Sequence, residues 1–78
     1  MNLLEVPFEF ARCSWLLQLD ATSGQGELLR DGAPAGTLRY DPDLGFGPVA
    51  PPLQPLLAVL RQVLAPLDER IRLLKRAY

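Results

Sequence analysis

From Leu53 onward, apolar residues step by threes and fours without a break: Leu53, Leu57, Leu60, Leu64, Leu67, Ile71, Leu74 and Tyr78. The opposite face carries Arg61, Gln62, Asp68, Glu69, Arg72, Lys75 and Arg76. This 3.6-residue period is that of an amphipathic helix, and it commits the C-terminal third of the chain to one element with a side to bury. Pro52 and Pro55 suit a first helical turn, where backbone donors lack partners anyway. Pro66 does not suit an interior: it removes one hydrogen bond and crowds the carbonyl of Gln62. The stripe keeps its phase across Pro66. The pattern therefore predicts a helix over 53–77, kinked or broken near Pro66.

The first half of the chain has period two instead. Leu4, Val6, Phe8 and Phe10 alternate with Glu5, Pro7 and Glu9, which predicts a strand over 4–10. Pro7 cannot donate to a ladder, so this strand belongs at an edge or turns Pro7 outward. A second strand over 13–20 places Cys13, Trp15, Leu17 and Leu19 on one face, with Leu16 as the exception among the polar residues opposite. The change of parity calls for a turn or a bulge at Ala11-Arg12. Neither residue is a good turn former, which favours the bulge. A helix through Phe8, Ala11 and Trp15 is the rival reading, because the segment lacks β-branched residues. Thr22 to Gly26 is a turn cluster. Strands over 27–31 and 37–41 flank Gly32-Ala33-Pro34-Ala35-Gly36 and read as a hairpin with a five-residue loop. Residues 41–52 read as an irregular connection, being rich in Pro and Gly.

The expected fold class is α+β, with one domain spanning 1–78. A small antiparallel meander of three or four strands precedes the kinked or broken helix, which packs on one sheet face. Its core should include Val6, Phe8, Trp15, Leu17, Leu38, Tyr40, Leu57, Leu60 and Leu64.

Composition narrows the function classes. The chain is 49% apolar and 22% charged, with a formal charge of −1, so it lacks the overall positive field of a nucleic-acid binder. It contains no histidine, the commonest general base. Its single cysteine, Cys13, lies on an apolar parity and reads as an inert buried thiol, and no internal disulfide is possible. Asp41 and Asp43, or Glu5 and Glu9, supply too few oxygens for a calcium cage. Gly24-Gln25-Gly26 and Gly45-Phe46-Gly47 lack the helix starts and lysines of a phosphate cradle. No catalytic, metal or cofactor site is expected. The N-terminus lacks the basic cluster of a signal peptide and no apolar run reaches membrane length, which places the protein in the cytoplasm.

What remains is binding. A continuous helix over 53–78 would be about 39 Å long, while strands of five to eight residues reach only about 17–27 Å. Leucine surface that outruns its sheet marks an interface; the alternative is that the helix breaks at Pro66 and both halves fold onto one sheet. The expected function is a protein-interaction or homodimerising module without catalytic activity. Its interface would use Leu53, Leu60, Leu67, Ile71, Leu74 and Tyr78; Phe46, flanked by glycines in a long loop, is either a plug in the core, the favoured reading, or an exposed loop anchor. The alternative is a nucleic-acid-binding accessory protein using Arg70, Arg72, Lys75 and Arg76 at the helix end.

Overall fold

The structure, a computed structural model, describes residues 3–76. Five strands follow one another across a single antiparallel sheet, in the order β1 to β5: β1 Leu3–Phe10, β2 Cys13–Asp20, β3 Gln25–Arg30, β4 Ala33–Asp41 and β5 Gly45–Phe46. The helical part is Pro51–Leu56 (a 3-10 turn pair), α1 Leu57–Leu64, a 3-10 turn Ala65–Leu67 and α2 Asp68–Arg76. This is the expected α+β meander-then-helix, with five strands where three or four were foreseen. β1 is an edge strand, as Pro7 requires.

The two halves of the first hairpin pair Phe10 with Cys13, Phe8 with Trp15, Val6 with Leu17 and Leu4 with Leu19. Both sets of apolar residues therefore lie on one face, and residues 8–19 are strand rather than helix. The parity change is made by a two-residue turn and not by the expected bulge. Ala11 and Arg12 both take positive φ, 52° and 63°. Two left-handed residues match the right-handed twist of the flanking strands, at about 1 kcal/mol or more each for non-glycine residues. Replacing the pair by Asn-Gly should raise stability by about 1–2 kcal/mol in urea titrations, with no change in the pairing of β1 and β2. An unchanged or lower midpoint would mean that this turn is not left-handed.

The second hairpin is also tighter than expected. Its turn is Asp31-Gly32 alone, with φ of 50° and 86°. The Asp31 N–H donates to the Ser14 carbonyl (2.7 Å), and the Asp31 carboxylate accepts from the Ser14 N–H (3.0 Å). Ala33, Pro34 and Ala35 are strand, not loop. The register steps from Leu28–Gly36 to Leu29–Pro34, so Ala35 is the extra residue of a bulge. The bulge, foreseen in the first hairpin, is in the second. It lengthens β4 to nine residues, about 30 Å. The 41–52 connection is regular in part: Gly45 and Phe46 pair with Asp41 and Tyr40, and the helical segment starts at Pro51.

Across Pro66 the chain keeps right-handed helical dihedrals at Leu64, Ala65 and Asp68. The Ala65 N–H bonds the Arg61 carbonyl, and the Asp68 N–H bonds the Ala65 carbonyl. One tightened turn absorbs the missing donor, so the apolar stripe stays in phase.

The core lies between one sheet face and the helical segment. It comprises Leu4, Val6, Phe8, Leu17, Leu19, Ala21, Leu28, Leu38 and Tyr40 from the sheet side, with Leu53, Leu56, Leu60, Leu64 and Ile71 above them. Trp15 and Leu57, expected in the core, are half-buried at its margin. The leucine ridge is thus largely sheltered within one chain. Leu53, Leu60 and Ile71 are 6%, 0% and 1% exposed, and Leu67 and Leu74 are half-buried against the core. These five do not form the open ridge that the length argument required. Tyr78, the sixth, lies outside the described residues. The large apolar residue most exposed on the helix is Leu73.

Candidate functional site

Alternation along the strands gives the sheet a second face, and among the described residues no element covers it. Here Pro7 pairs with Leu16, Leu16 with Leu29, and Leu29 with Pro34. These four form one apolar row across four strands, about 14 Å long at the usual strand spacing. Leu16 and Leu29 are half-buried by neighbours; Pro7 and Pro34 are exposed. A polar row runs beside them, with Glu5 opposite Gln18, Gln18 opposite Glu27 and Glu27 opposite Thr37. On the other side, Glu9 pairs with Ser14. Glu5, Glu9 and Glu27 are exposed, and the Gln18 amide donates to Glu5 (3.5 Å). One cation, Arg39, stands at a corner of this face, opposite Gln25, and donates to the Ser23 carbonyl (3.3 Å). The face is therefore apolar along its middle and anionic at its margins. In the sequence Leu16 is an exception to the alternation of its strand. Its register against Pro7 and Leu29 is what gives it meaning, and strand parity alone does not supply a register.

At the far end of the inner face the sheet extends past the start of the helical segment. This leaves an open groove of about 500 Å³ lined by Phe10, Cys13, Trp15, Ala35 and Leu53, with Arg30 at its rim. Phe8 and Trp15 stack at 6.1 Å, and the indole N–H donates to the Phe10 carbonyl (3.3 Å). Cys13, expected to be buried, is half-buried here.

The opposite end is a clasp. Tyr40 donates its phenolic proton to Asp68 (2.5 Å), Arg72 bonds Asp43 (3.0 Å) and the Pro42 carbonyl (3.3 Å), and Lys75 bonds Asp41. The Lys75 ammonium, together with backbone N–H groups of the turn, holds the Asp41 carboxyl below its usual range. Burial pushes the Tyr40 phenol well above its ordinary value, and the hydrogen bond to Asp68 pushes it in the same direction. The two ionisations load the clasp at opposite ends of the pH scale. Asp41 binds a proton more readily unfolded, so its contribution holds above the unfolded carboxylate pKa and is lost as pH falls through the folded one. Tyr40 releases its proton more readily unfolded, so its contribution holds below about pH 10 and is lost as pH rises toward the folded value. Tyr40→Phe should cost about 1 kcal/mol at neutral pH and flatten the alkaline decline. An alkaline limb identical to that of the parent protein would show that Tyr40 does not bind Asp68.

This clasp employs two of the four cations foreseen as nucleic-acid contacts. Arg72 and Lys75 are ion-paired, while Arg70 and Arg76 are exposed, with no ion pair among the described residues. Phe46 is not an exposed anchor. It is half-buried against Tyr40, ring centroids 4.8 Å apart, with the Arg61 guanidinium 5.9 Å from its ring. Leu44, at 87% exposure, is the apolar side chain that this loop presents. Among the described residues no group of three or more His, Cys, Asp or Glu side chains could hold a metal ion, and no helix is long and apolar enough to cross a membrane. Compared with protein-family models, with curated proteins and with solved structures, the chain matches none.

Proposed function

We propose that this protein is a non-catalytic, cytoplasmic interaction module that receives a basic amphipathic helix of a partner protein on the open face of its sheet. The apolar row Pro7–Leu16–Leu29–Pro34, bordered by Glu5, Glu9 and Glu27, carries this reading. A sheet with two usable faces is stable with helices on both. This chain supplies a helix to one face and leaves the other apolar along its middle. A partner ridge of Leu or Ile would lie along the row, and flanking Lys or Arg would meet the carboxylates. Self-pairing of this face would set Glu5, Glu9 and Glu27 against their own copies, so the reading moves from homodimer to heterologous partner. Cytoplasmic thiol chemistry would keep Cys13 reduced.

The test uses a fluorescent synthetic Leu/Lys amphipathic peptide of about 18 residues, long enough to form a helix on contact. Anisotropy should show saturable, salt-sensitive binding, and a Leu/Glu peptide of the same pattern should not bind. Leu16→Glu should weaken the Leu/Lys peptide at least about tenfold, the size of a central contact. Equal binding of both peptides, or indifference to Leu16→Glu, would contradict the proposal.

A further inference from the structure

At the other end of the molecule, on the opposite sheet face, the groove beside Trp15 has a different chemistry. Trp15 pairs with Arg30 across the ladder, and residues paired in this way share a face. Arg30 thus stands on the same face as core residues Leu17 and Leu28, one step beyond the point where the helical segment stops covering them. Its guanidinium has no ion pair or hydrogen bond among the described residues. The carboxylate next to it in sequence, Asp31, is bonded to the Ser14 N–H. The groove therefore combines an aromatic floor, aliphatic walls from Ala35 and Leu53, and one unpaired cation at the mouth. The volume, about 500 Å³, is within the range of sites for small ligands. Ala11, the first residue of the left-handed turn, also lines the groove.

We infer that this groove binds a medium-chain carboxylic acid, the alkyl chain lying on Trp15 between Phe10 and Leu53 and the carboxylate meeting the Arg30 guanidinium. A carboxylate matches a guanidinium fork in charge and geometry. The apolar lining takes the chain, and affinity rises with each buried methylene. The groove meets the open sheet face at Pro34, which lines both, but its floor at Trp15 and its cation Arg30 lie on the opposite face from Leu16 and Leu29, so either reading can fail without the other.

Trp15 is the only tryptophan, so its emission reports on the groove directly. The intact protein is titrated with decanoate, decanol and decyltrimethylammonium below their micelle concentrations, with amide spectra recorded in parallel. Decanoate should bind saturably, decanol more weakly and the ammonium weakest, with shifts at Cys13, Trp15, Arg30 and Ala35. Arg30→Gln should weaken decanoate about three- to tenfold and leave decanol unchanged. Ala35→Phe, which fills the groove, should abolish all three. Leu16→Glu should leave decanoate binding intact, which separates this inference from the peptide reading. Three results would each overturn it: no saturable change, equal affinity for decanoate and the ammonium, or shifts mapping away from the groove.

Discussion

Leu17→Glu should unfold the protein at room temperature, while Leu16→Glu, one residue earlier, should leave it folded. Leu17 is 0% exposed and faces Leu28 and Val6 across its two ladders. Deleting such a leucine costs about 2–5 kcal/mol, and an unpaired carboxylate in its place adds several more. A chain of this size has a total stability of roughly 4–12 kcal/mol, so the combined penalty equals or exceeds it. Leu16 points to the open face, where water reaches the new carboxylate, and surface changes of this kind stay within about 1 kcal/mol. Far-ultraviolet circular dichroism and a urea titration distinguish the pair. Two folded variants, or two unfolded ones, would show that the sheet does not have one covered and one open face.

Gly24→Val should lower stability by about 3 kcal/mol, or roughly 12–24 °C in melting temperature. Gly24 has φ +78°, and a Cβ there would lie 2.9 Å from the Tyr40 carbonyl oxygen. The residue also closes two strands with its own backbone. Its N–H donates to the Asp20 carbonyl and its carbonyl accepts from the Tyr40 N–H, each at 2.8 Å. A side chain cannot be accommodated without moving β4, and Tyr40 on β4 carries the hydrogen bond to Asp68. Gly32 is the control. It is equally left-handed at φ +86°, yet a Cβ there meets nothing within 4 Å. Gly32→Ala should cost only the conformational part, about 1–2 kcal/mol. Equal losses at both positions would remove the steric role assigned to Tyr40.

The parts of this fold legible in the sequence are those set by side-chain period. Leu4, Val6, Phe8, Leu17, Leu38 and Leu60 announced their faces, and Pro7 announced an edge. The parts that were not legible are set by backbone geometry. Ala11-Arg12 forms a left-handed turn without the residues that favour one, because pairing of eight residues on each side outweighs the local cost. Ala33-Pro34-Ala35 reads as loop by composition but is strand, since the Asp31-Gly32 turn and a bulge suffice. That difference lengthened β4 to nine residues, and the burial of Leu53, Leu60 and Ile71 in one chain is a three-dimensional fact that a comparison of element lengths does not supply. The open-face row was hidden for a related reason. Pro7, Leu16, Leu29 and Pro34 are distant in sequence and become neighbours only once three registers are fixed. Arg30 could be placed beside Trp15 only by the same step.

The central claim is that the helix spends its leucines inside the chain and the open sheet face receives the partner. Backbone amide shifts of the labelled protein, followed while the Leu/Lys peptide is added, test it most directly. The account predicts saturable shifts at Glu5, Leu16, Gln18, Glu27 and Leu29, with residues of α2 unmoved. Shifts concentrated at Arg70, Leu73 and Arg76, with the sheet silent, would contradict it and return the interface to the helix.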